Sequence, residues 1–177
     1  VISIEQKTTN KNPRSTVGTT TEIYDYMRLL FSRTAEAYSY LSGEKMVKYT
    51  EEKILEMLLD AYDGKRIYIL APLVKGRKGH YKELFEQMMH KGYLNVRIDG
   101  EMCEMSRGMM LERYKIHDIE VVVDKLVVDA KDTQRLKQSL ATTMAQGSGL
   151  VMIMEMPSGE VRHYSKHLMC PVTGLSY

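Results

Sequence analysis

From Gly64 to Asp99 the hydrophobic period of the chain changes twice, and that double change leaves few folds open. The run Ile67-Tyr68-Ile69-Leu70 reads as a strand and leads through Ala71-Pro72 into Leu73-Val74. Lys75-Gly76-Arg77-Lys78-Gly79-His80 follows as a basic, glycine-flanked loop. Apolar residues then recur at Leu84, Phe85, Met88 and Met89, one stripe of a helix that Gly92 ends, and Tyr93 to Asp99 returns as an alternating strand. A strand–loop–helix–strand unit with a cationic loop at one end suits a recognition surface better than an active site.

The flanking chain extends this pattern. Thr50 caps a helix over 50–63, with Glu51 and Glu52 at its positive end and Ile54, Leu55, Leu58 and Leu59 on its buried face. Glu101 to Met105 alternates weakly as a strand, and Ser106-Arg107-Gly108 breaks it. Ile116 to Asp129, dominated by valine, is the strongest β segment. Asp132 or Thr133 caps a helix to 146, and two strands, Leu150–Met156 and Glu160–Ser165, flank the turn Pro157-Ser158-Gly159. The sum is an α+β fold: a mixed, mostly antiparallel sheet carrying helices 50–63, 80–91 and 132–146. Before it come a short strand, Val1–Ile4, and a long helix from about Thr19 to Arg33 that can continue toward Tyr40. These read as part of a separate domain. A strand with no lead-in at the first residue suggests a chain cut from something longer.

Charge and cysteine content narrow the function classes. A formal charge of +2 over 177 residues gives no global field toward nucleic acid or membrane, so charge effects must be local. Two cysteines, Cys103 and Cys170, make no disulfide framework and suit a reducing compartment. No apolar run is long enough to span a membrane and no signal-peptide core is visible, so the cytoplasm is the default expectation. The 14 methionines read as adaptable core filler before they read as a binding groove.

Three constellations bear on chemistry. Lys75 to His80, just before a helix start, has the charge to hold an anion but lacks the spacing of a phosphate-binding P-loop; a solvated basic loop explains it equally well. His163 and His167 lie four apart with Cys170 nearby, but the strand pattern from Arg162 to Lys166 undoes that spacing, and no metal is expected there. Asp99, Glu101, Glu104, Glu120 and Asp124 cluster around the later strands, where alternation puts most of them on a solvated face. No nucleophile–base–orienter set stands out.

Several segments carry a closer signal. Asn12-Pro13-Arg14-Ser15-Thr16-Val17-Gly18-Thr19 with Thr21-Glu22-Ile23-Tyr24-Asp25-Tyr26-Met27-Arg28, then Leu70-Ala71-Pro72, Lys78-Gly79-His80, Val96-Arg97-Ile98-Asp99-Gly100 and Ile119-Glu120-Val121-Val122-Val123-Asp124, resemble the UvrA family, the damage-sensing ATPase subunit of the bacterial nucleotide-excision-repair excinuclease. The resemblance covers essentially the whole chain. It implies that residues 1–43 are part of the first ABC-type ATP-binding domain, 44–168 the domain that docks UvrB, and 169–177 the start of a degenerate zinc module. It sets Gln6 at the Q-loop position, near ATP and Mg in the intact protein, while Walker A, Walker B and the ABC signature are missing from this sequence. The fragment is therefore expected to be non-catalytic and without cofactor, within a DNA-dependent ATPase that binds damaged DNA, forms a homodimer, takes part in the SOS response and has no membrane role.

Two departures from the family pattern matter. The zinc module's second cysteine is replaced by Thr173, and Cys170 alone cannot hold zinc. The family's UvrB-contacting arginines fall at Asn95, which has lost the charge, and Lys125, which keeps the charge without the bidentate fork. Arg97, Arg77, Lys78 and His80 are the neighbours expected to compensate at the interface. The alternative is direct DNA contact through the loop Lys75–His80.

Overall fold

The structure, a computed structural model, describes residues 17–176, so the expected strand Val1–Ile4 and Gln6 lie outside the described residues. The chain divides into two units, Val1–Ala37 and Tyr38–Tyr177. In the first, the expected long helix is two pieces, α1 (Val17–Thr20) and α2 (Ile23–Thr34). The break falls after Thr20, where the Val17 carbonyl accepts both the Thr21 hydroxyl at 2.6 Å and the Thr21 N–H at 3.1 Å. Helix α2 stops at extended Ala35 rather than near Tyr40, and none of its side chains is buried.

The second unit is a six-stranded sheet backed by three helices. Its strands are β1 (Arg66–Lys78), β2 (Asn95–Ile98), β3 (Glu101–Glu104), β4 (Ile116–Val127), β5 (Leu150–Met156) and β6 (Val161–Ser165), in spatial order β3-β2-β4-β1-β5-β6. Every pairing between neighbours is antiparallel. The helices are α3 (Glu51–Tyr62), α4 (Lys82–His90) and α5 (Gln134–Gln146). Thr50 caps α3 by accepting the Lys53 N–H at 3.3 Å, and Asp132 rather than Thr133 does so for α5, accepting the Gln134 N–H at 3.3 Å.

The expected loop Lys75–His80 is mostly strand, because β1 runs unbroken to Lys78. Pro72 lacks a ladder donor and Gly76 has φ +64°, yet the strand survives by slipping register against β4 between Ile69 and Leu70, between Pro72 and Val74, and between Val74 and Arg77. The reversal is confined to residues 79–81. There the Tyr81 hydroxyl donates to the Arg77 carbonyl at 2.9 Å, and its ring lies where a Cβ on Gly79 would fall.

All three helices cover one sheet face. Ile67 and Ile69 of β1 join Val151, Ile153, Leu126 and the inner faces of α3 and α5 in one cluster; Ala71, Ile119, Val121, Val96 and Ile98 join Phe85 and Met88 of α4 in another. Directly opposed pairs such as Ile69 with Ile153 share that face. The intervening residues, Tyr68, Leu70, Val122, Met152, Met154 and Met156, form a third cluster on the helix-free face. At the base of the unit the incoming and outgoing chains meet: Val47 and Met169 exchange N–H···O bonds of 2.9 Å, and the Ser42 hydroxyl lies 3.1 Å from Cys170 Sγ.

Candidate functional site: the helix-free sheet face

Register places the side chains of this face. Tyr68 opposes Lys125, Leu70 opposes Val122 and Pro72 opposes Glu120 across β1 and β4, while Arg97 of β2 opposes Glu120 from the other side. Asn95, two residues before Arg97 on the same strand, shares its face. Lys125 Nζ donates to Asn95 Oδ1 at 2.7 Å and stands 5.0 Å above the Tyr68 ring. The two positions where the family pattern sets arginines are therefore in direct contact, although 30 residues separate them in sequence. A shallow concavity of about 280 Å3, lined by Tyr93, Leu94, Asn95 and Val122 to Lys125, adjoins them.

Lys125 owes its placement to the residue before it. Asp124 turns to the helix face, where its carboxylate accepts from Arg135 Nη2 at 2.7 Å, Arg135 Nε at 3.1 Å and the Ser139 hydroxyl at 2.6 Å. Burial alone raises the Asp124 carboxyl, but the hydrogen bonds from Arg135 and Ser139 outweigh it and hold it below the usual range. Asp124 thus anchors β4 to α5, leaving Lys125 on the outside.

Further along the face Arg97 Nη1 lies 3.3 Å from Glu120 Oε2. Glu120 is buried, against the expectation of a solvated sheet face: alternation gives the side of the strand but not what surrounds it. Desolvation raises its carboxyl, and the charge of Arg97 offsets that only partly. Both residues line a cavity of about 490 Å3 shared with Lys75, Asp118, Met152 and His163. Burial, aided by the charges of Lys75 and Arg97, pushes His163 down to about 4 and keeps it neutral at pH 7.

Arg77, Lys78 and His80 are not part of this constellation. Arg77 and Lys78 pair with His117 and Ile116 at the far end of β1, and Lys78 and His80 line a separate concavity of about 530 Å3 with Tyr81, Glu83, Arg113 and Tyr114. Arg113 and Tyr114 lie in the link between β3 and β4, a stretch with no periodic signal.

Cys170 makes its hydrogen bonds to residues of its own surroundings. The buried thiol accepts from the Thr173 N–H at 3.4 Å and meets the Ser42 hydroxyl; these contacts lower it to about 6, Ser42 contributing most. His163 belongs to β6, and among the described residues no group of three His, Cys, Asp or Glu gathers at ligand distance. Nor, among them, is any helix long and apolar enough to cross a membrane.

An antiparallel sheet backed by helices on one side, with Asn95, Arg97 and Lys125 set on the other, is the build of an interaction module. Residues 50–157 match the UvrA interaction domain, and the chain belongs to the UvrA family. It is 46% identical over 97% of its length to UvrABC system protein A of Methanothermobacter thermautotrophicus. It is 45% identical over 99% to that of Bacillus subtilis and 42% identical over 99% to that of Escherichia coli. It spans only 18% of the first two relatives and 19% of the third.

Proposed function

We propose that this chain is the part of a nucleotide-excision-repair UvrA protein that docks UvrB, and that it performs no chemistry itself. The observation that carries this reading is the contact between Asn95 and Lys125 on the helix-free face, with Arg97 on the same strand and side as Asn95. Exposed charges at such a rim govern encounter rate and partner choice more than final affinity. ATP and Mg binding, to which Gln6 contributes, contact with damaged DNA and homodimer formation belong to the longer cytoplasmic protein.

Calorimetry and stopped-flow association with the cognate UvrB test the reading. Lys125→Glu slows association several-fold at low salt, and the deficit shrinks as salt is added. Asn95→Arg restores a charge and speeds association. Tight binding indifferent to salt, or no binding, refutes the proposal.

A second reading, direct contact with DNA, is favoured by Lys78, His80 and Arg113 lining one concavity. It requires duplex binding whose affinity falls steeply with salt and drops on Arg113→Ala. Glu83 in the same concavity weighs against it.

A further inference from the structure

The β3–β4 link, residues 105–115, has no regular structure of its own, yet three attachments fix its course. Buried Met105 donates its N–H to the Leu94 carbonyl at 2.9 Å, and Leu111 donates its N–H to the His80 carbonyl at 2.9 Å. The third attachment is the imidazole of His117 on β4.

That ring is 3% exposed and has an acceptor at each nitrogen. Nδ1 lies 2.8 Å from Asp99 Oδ2, and Nε2 lies 3.0 Å from the carbonyl oxygen of Glu112. A neutral imidazole carries one N–H and turns a lone pair toward the other oxygen; only the imidazolium donates to both. Asp99 is not free to swing away. Its other oxygen accepts the Asp118 N–H at 2.8 Å, its own N–H donates to the Asp118 carbonyl at 2.9 Å, and its φ of +50° fits the tight turn to Gly100 between β2 and β3.

We propose that His117 is a pH-operated clasp: as imidazolium it ties the link to the β2–β3 turn, and on losing its proton it releases one of the two. The groups around the ring are Asp99 from the turn, Glu112 and Lys115 from the link, Asp118 from β4, Arg77 at the paired position on β1 and the edge-on ring of Tyr81 ahead of α4, 6.3 Å away. The Asp99 hydrogen bond raises His117 above its ordinary value of 6.5, against burial and Lys115. The clasp is therefore fully closed below about pH 6.5 and opens as pH rises through the higher folded-state value. Opening loosens the segment bearing Arg113 and Tyr114, one wall of the concavity shared with Lys78 and His80.

The test is a pH series on the isotope-labelled 177-residue chain, following the His117 ring nitrogens and the exchange of the Leu111 and Lys115 amides, corrected for intrinsic base catalysis. Both nitrogens are expected protonated at pH 6, with one midpoint above 6.5. Amide exchange rises on the order of tenfold through that midpoint, the size expected for losing one charge-assisted bond. Asp99→Asn lowers the midpoint, and His117→Gln abolishes the pH-dependent step, which separates His117 from His80. A singly protonated ring at pH 6, or an exchange step that persists in His117→Gln, overturns the proposal. Should His117→Gln fail to fold, the ring signals of the parent and of Asp99→Asn decide it.

Discussion

Replacing Asp124 with alanine tests how the strand carrying Lys125 is held to its supporting helix. The carboxylate, 18% exposed, accepts from Arg135, which is 64% exposed, and from Ser139, which is buried. Solvent screens the Arg135 pair, so its loss costs at most about 1 kcal/mol. The Ser139 bond is charge-assisted and buried; losing it costs about 2 kcal/mol, much of that from a hydroxyl left without an acceptor. Together Asp124→Ala loses about 3 kcal/mol, equivalent to a fall in Tm of about 10 °C for a unit of this size. Urea unfolding followed by far-UV circular dichroism measures it. Arg135→Ala costs about 1 kcal/mol or less, and adding Ser139→Ala to Asp124→Ala recovers about 1 kcal/mol because the orphaned hydroxyl is gone. Equal losses for Arg135→Ala and Asp124→Ala, or a double variant no better than Asp124→Ala alone, refute the reasoning. The pH dependence gives an internal check. The Asp124 carboxyl is held below its ordinary value, so its stabilisation is present above the unfolded-state pKa and disappears as pH falls through the lower folded-state one. Parent and variant therefore converge only in acid, below about pH 4.

Two further substitutions test the scaffold. At Gly147, where α5 ends, a Cβ would fall 2.4 Å from the Leu150 carbonyl oxygen; Gly147→Ala is expected to lose about 1–3 kcal/mol by denaturant titration, since backbone rather than a pliant side chain must give way. Thr50→Ala removes the acceptor for the Lys53 N–H and lowers the urea midpoint by the equivalent of about 1 kcal/mol, whereas Thr50→Ser retains most of it.

Much of this architecture is legible locally. Strands β4 and β5 and helix α3 end within a few residues of where β-branched runs and Thr50 put them. The rest depended on pairing. Pro72 and Gly76 look like the end of a strand, but slips of register against β4 carry β1 past both, and a slip belongs to two strands at once. Glu120 alternates like a solvated residue and is nonetheless buried beside Arg97. The resemblance marks Asn95 and Lys125 separately; that they touch follows only from the alignment of β2 on β4 and from Asp124 turning toward α5. Arg77, Lys78 and His80 look near Arg97 in a linear reading, but the length of β1 sets them at its other end. The His117 clasp has no signature, because Asp99 lies 18 residues away and becomes a partner only through the β2–β3 turn.

The paired bonds between Val47 and Met169 bear on how the segment after β6 is held. Lys75 Nζ donates to the Thr173 carbonyl at 3.1 Å and Met169 also bridges to Ser176, so this segment is fastened to β1 as well as to Val47 and cannot shift without disturbing the sheet it borders.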